Sequence, residues 1–68
     1  MENHVDMTSQ AKKLYSRLSK VRWTTPVDMQ RMTGMTLACC QLILTQLAQA
    51  GLVEDALGEG RYFKRCRQ

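Results

Sequence analysis

The stretch between Gly34 and Gly51 constrains the fold more than any other part of the chain. After Met35 and Thr36 comes "LACCQLILTQLAQA", with no proline, no glycine and no charged residue. Its apolar positions recur at helical spacing. With Cys40 at the centre of an inner face, Leu44 and Leu47 fall within a third of a turn of it, and Leu37 and Ile43 flank them. The outer face then holds Ala38, Gln41, Leu42, Thr45 and Gln49. Thr36 is placed to cap this helix. Gly51 ends it after Ala50, and Leu52 is the apolar residue that accompanies such an end. Between Arg31 and Glu54 the chain carries no charge at all.

Upstream, "TPVD" begins a shorter helix. Thr25 is the cap, Pro26 suits the first helical position, and Asp28 sits near the positive helix end. Val27, Met29 and Met32 are its apolar positions, and Gly34 stops it by taking up a left-handed conformation. Met35 plugs the core between the two helices. Met29, Met32 and Met35, at helical spacing, read as core rather than as a soft binding patch. A first helix, capped by Thr8 or Ser9, runs to about Arg22, with Ala11, Leu14, Tyr15, Leu18 and Val21 on one face. Lys13, Arg17 and Lys20 form a cationic stripe opposite, flanked by Lys12. "VRWTT" breaks the period and suits a brief extended segment. Trp23, the single Trp, is expected to be the core's largest side chain rather than a base-stacking platform. Downstream, "LVED" and "RYFKRC" read as strands joined by "ALGEG". Residues 1–7 show no periodicity and read as a flexible tail; 8–68 form one domain.

A chain of 68 residues buries about 60% of its unfolded surface, and such a core supplies about 3–5 kcal/mol. A second stabilising device is expected. Three cysteines is an odd number, and "MENHVDMTSQ" lacks a secretory pattern, so a reducing cytoplasmic setting and a homodimer are expected rather than disulfides. No apolar run approaches the roughly 20 residues of a membrane span. Cys40 reads as core and Cys39 as a free thiol at the rim. With Cys66 and His4 they have the wrong spacing for structural zinc, since neighbours on a helix diverge by about 100°. Neither a metal nor a cofactor is expected. No Ser, Cys or Lys has a base at a recognisable spacing, and there is no Gly-rich phosphate loop. Glu54, Asp55 and Glu59 read as a solvated turn, so the chain is expected to be non-enzymatic. No pocket for a small ligand can be inferred.

The net charge is +4, from 10 Lys and Arg against 6 Asp and Glu. Five bases lie between Lys12 and Arg22 and four between Arg61 and Arg67, while Met29 through Val53 holds no acid. A surface that approaches phosphate must be free of carboxylates, because each would oppose counterion release.

Residues 25–65 resemble a winged helix-turn-helix domain of the type found in small bacterial, phage and plasmid regulators. "DMQRMTGMT" is similar to the family's second helix and turn, "LILTQLAQAGLVE" to the end of its recognition helix, and "GEGRYFKR" to its wing. The resemblance implies a mainly helical fold, three helices with a two- or three-stranded wing sheet. It also implies double-stranded DNA as partner and a transcriptional or replication role near the nucleoid. It places Thr36, Ala38, Gln41, Leu42 and Thr45 against base edges, and Arg61 with Lys64 or Arg65 on the backbone. Lys13, Arg17, Lys20, Arg22 and Arg31 would supply the other phosphate contacts. This chain departs from the family in having no Arg or Lys on the recognition helix, so the commonest base contact, Arg to guanine, is unavailable there. Gln with adenine, and Ala or Thr methyl groups with thymine, remain available. The alternative is a protein-protein interface centred on Leu42, which is apolar where DNA readers are usually polar.

Overall fold

In the computed structural model, which describes residues 8–66, three helices precede an antiparallel hairpin. In chain order these are α1 (Ser9–Arg17), α2 (Pro26–Thr33), α3 (Leu37–Gln49), β1 (Val53–Asp55) and β2 (Phe63–Arg65). The expected tail, with His4, and the last two residues lie outside the described residues. Among the described residues no helix is long and apolar enough to cross a membrane.

Local side-chain chemistry sets the start of each helix. The Thr8 hydroxyl accepts from the Ala11 N–H at 3.1 Å, so Thr8 rather than Ser9 is the cap. Thr25 Oγ1 accepts from the Asp28 N–H at 3.1 Å, and Asp28 Oδ2 accepts from the Thr25 N–H at 3.2 Å. This reciprocal box satisfies two otherwise orphaned donors. Thr36 Oγ1 accepts from the Cys39 N–H at 3.1 Å.

The first helix stops at Arg17, well short of the expected Arg22. Leu18 is already extended, and the Ser19 hydroxyl accepts from the N–H groups of Val21 and Arg22 at 2.9 and 3.0 Å. A serine that bonds its own following backbone offers the chain an alternative to helix. Two expectations fall with that segment. Val21 is 74% exposed instead of facing the core. Lys20 lies in the bend, so only Lys13 and Arg17 of the cationic stripe stand on the helix.

Helix α2 turns Pro26, Met29 and Thr33 inward. Met32 sits about 60° around the helix from Met29, on the side away from Pro26 and Thr33, and is exposed, as is Val27. Of the methionine trio only Met29 is fully buried; Met35 is half-buried against the core. Gly34 takes φ 79°, which turns the chain into α3. Thr33 braces that turn: its hydroxyl donates to the Met29 carbonyl at 2.6 Å, accepts from the Met35 N–H at 3.2 Å and lies 3.9 Å from Cys40 Sγ. Helix α3 buries Cys40, Ile43, Leu44 and Leu47, as its periodicity predicts, whereas Leu37 is exposed.

The hairpin pairs Val53 with Arg65, Glu54 with Lys64 and Asp55 with Phe63. On its other side Phe63 exchanges two 2.8 Å backbone hydrogen bonds with Thr24, so "VRWTT" contributes a single-residue third strand. Phe63, with no exposed surface, is the largest fully buried side chain. Trp23 does not fill that role. Successive residues of an extended segment point to opposite faces, and Thr24 is the one that points in. Trp23 therefore lies outside, with Lys64 Nζ 4.3 Å from its ring centroid. The Arg65 guanidinium stands 4.6 Å from the Tyr15 ring centroid.

Phe63→Ala is expected to cost about 3–5 kcal/mol. That is comparable to the roughly 3–5 kcal/mol that a core of this size supplies. Urea titration followed by circular dichroism should show no cooperative transition for this variant. Trp23→Ala, by contrast, should keep one.

Candidate nucleic-acid interface

Contacts on its two flanks set which side of α3 looks outward. Cys39 Sγ faces α1 through Gln10 Oε1 at 3.8 Å. Gln41 faces the hairpin loop, its Nε2 donating to the Gly60 carbonyl at 2.9 Å. The ridge between these flanks is Ala38, Leu42, Thr45 and Gln49, all exposed. Thr36 is exposed at the head of the helix, with its hydroxyl occupied in capping. Of the residues expected on this face, only Gln41 is drawn aside. It is half-buried beneath the loop, because a short uncharged amide can satisfy a carbonyl that the loop itself leaves unpaired.

The loop is held from its other side by Asp55, whose Oδ2 accepts from the Gly60 N–H at 2.9 Å. Asp55 is thus a half-buried organiser of the loop and not part of a solvated turn; Glu54 and Glu59 are the exposed members of that trio. Gly60 has φ 75°, and a Cβ built there would meet Gln41 Nε2 at 3.0 Å. Glycine is favoured by the backbone conformation, and a Cβ would also press on the end of the Gln41 side chain.

The cations divide by what they touch. Lys13, Arg17, Lys20, Arg22, Arg31 and Arg61 are exposed. Lys64 and Arg65 are half-buried and engaged with Trp23 and Tyr15, and Arg65 Nε is buried without a partner among the described residues. Arg61 is the exposed cation of the hairpin. Of the four carboxylates in residues 8–66, Asp28 and Asp55 are bonded to backbone N–H groups, which takes up part of their charge.

Among the described residues two concavities border α2, although the sequence alone suggested none. One, about 300 Å³, lies between the start of α2, the start of α3 and the loop, with Val27, Leu37, Gln41, Arg61 and Tyr62 in its walls. The other, about 450 Å³, lies on a different face of α2 and gathers Arg17, Ser19, Arg22, Trp23, Asp28 and Arg31. Sequence reasoning missed both because each is assembled from separate segments. Comparison with protein-family models, with curated proteins and with solved structures finds no match to this chain.

Gln41→Ala is expected to destabilise the domain by about 0.5–1.5 kcal/mol, the net worth of one neutral hydrogen bond. Amide exchange at Gly60 should quicken because the loop loses one of its two side-chain ties. A glutamine pointing into solvent would leave both stability and exchange unchanged.

Proposed function

We propose that this chain is a winged helix-turn-helix domain that binds double-stranded DNA with sequence preference. It serves as a small non-enzymatic transcriptional or replication regulator of bacterial, phage or plasmid type, acting as a homodimer on the nucleoid in the cytoplasm. The observation that carries the reading is the ridge of α3. It is exposed and free of charge, beside a hairpin loop that ends in Arg61, with Lys13, Arg17 and Arg31 exposed on neighbouring helices. That division matches what recognition requires: cations on phosphate position a protein, and neutral groups on base edges specify the sequence.

In this reading the methyl groups of Ala38 and Thr45, with Leu42, meet thymine methyls, and Thr36 approaches a base edge. Gln41 keeps part of its capacity. Its amide nitrogen carries two donors, of which one goes to Gly60, leaving the second donor and Oε1 for adenine. Arg61, Lys13, Lys20, Arg17, Arg22 and Arg31 neutralise phosphates, while Lys64 and Arg65 first have to leave their aromatic partners.

A second reading is favoured by one observation: Leu42 is 58% exposed at the centre of the ridge, one helical turn from exposed Ala38. An apolar strip of that kind also suits a second copy of the chain.

Polarisation titrations against a random duplex and a selected A·T-rich site, over a salt series, separate the two. If the ridge reads DNA, Arg61→Ala weakens both duplexes alike and flattens the log–log salt slope by about one. Gln41→Ala then removes about 1–3 kcal/mol of preference for the selected site. If the ridge instead joins two copies, Leu42→Asp turns a sedimenting dimer into a monomer, and neither of the other substitutions changes DNA affinity.

A further inference from the structure

We propose that the 450 Å³ cleft between the α1–α2 linker and α2 is a nucleotide site, holding a phosphate among the guanidinia of Arg17, Arg22 and Arg31 and a base against Trp23. The cleft shares Arg17, Arg22 and Arg31 with the DNA reading but goes beyond it in giving them a nucleotide and Trp23 a base, at a place where no lining residue belongs to α3 or to the hairpin.

Three arginines from three successive segments line one concavity. Like charges brought together repel, and a bound anion removes that repulsion. No hydrogen bond among the described residues uses any of the three guanidinia, so their forked donors remain available, and that geometry matches phosphate bidentately. The linker that carries Arg22 and Trp23 is held in place. Ser19 Oγ accepts from the Val21 and Arg22 N–H groups, the Ser19 carbonyl accepts from the Arg65 N–H at 2.9 Å, and Thr24 is bonded to Phe63. The backbone that carries Arg22 and Trp23 is thus in place before any ligand arrives.

The cleft also has a place for a base. Trp23 lines it while Lys64 sits over the indole at 4.3 Å, and an aromatic platform of this kind stacks on any base. Asp28 is the single carboxylate in the lining. It would repel a phosphate placed beside it, but it offers an acceptor to a base amino group. The volume lies within the range of ordinary small-ligand sites. The ligand class is therefore a nucleoside phosphate, either free or as one unpaired unit of a strand.

Trp23 is the only Trp, so its emission reports on the cleft directly. The intact chain is titrated with GMP, with a short single-stranded oligonucleotide and with duplex, alongside Arg22→Gln, Arg31→Gln and, as a control outside the cleft, Lys12→Gln. Saturable quenching is expected, with Kd raised about tenfold in each arginine variant and unchanged in Lys12→Gln, as loss of a charge-assisted bond requires. Quenching by GMP identifies the free nucleotide as the source; quenching by the single strand alone identifies the strand. Quenching that does not saturate with either probe, or that falls equally in all three variants, overturns the site. Duplex binding measured in parallel keeps the two readings apart. Tight duplex binding with a silent Trp23 would remove the cleft and leave the DNA reading, and the reverse result would do the opposite.

Discussion

Two backbone hydrogen bonds of 2.8 Å between Thr24 and Phe63 hold the parts of this domain in register. Phe63 pairs with Asp55 on one side and Thr24 on the other, so one residue joins the hairpin to the linker between the first two helices. Its ring is fully enclosed by the core that the three helices build. The aromatic ring supplies the apolar area, and the paired backbone groups satisfy donors and acceptors that burial would otherwise strand. Strand alternation around this point then decides the remainder of the sheet. Thr24 and Phe63 face in, while Trp23 and Lys64 face out and stack on each other.

The sequence reveals those parts of the fold that rest on neighbours a few residues apart. Thr25, Pro26 and Asp28 form a box whose bonds span three residues, and Thr36 with Gly34 and Gly51 bracket α3 in the same local way. The inner face of α3 follows from its period alone. What stays hidden rests on partners remote in sequence, or on competition between two local options. Periodicity carries α1 on through Val21, yet the Ser19 hydroxyl wins the backbone for a bend. Trp23 has the size of a core residue, but its orientation is set by the pairing of Thr24 with a strand near the far end of the chain.

The candidate interface divides in the same manner. Ala38, Leu42 and Thr45 are exposed where helical geometry puts them, because that prediction needs nothing beyond α3 itself. Gln41 has the correct angle for the outer face, and only the position of Gly60 shows that its amide is claimed by the loop. Lys64 and Arg65 look like free wing cations in the sequence; the rings beneath them come from the linker and from α1. Charge density can be read from composition, but whether a given cation is free to meet phosphate is a tertiary fact.

The brace at Thr33 has a consequence for the thermodynamics of association. Its hydroxyl links the last turn of α2, the first residue after Gly34 and the buried side of α3, so the crossing of the two helices is fixed by groups inside the domain. A partner that met the α3 ridge would therefore meet a backbone braced from within the domain. Ordering entropy is then charged only to exposed side chains and to the hairpin loop, each rotamer-rich side chain at about 0.5–1.5 kcal/mol. The ridge residues Ala38, Leu42 and Thr45 are short or stiff and lose little on contact. A small module with few contacts can in this way keep more of its gross interaction energy as affinity than a longer-armed, more charged helix would.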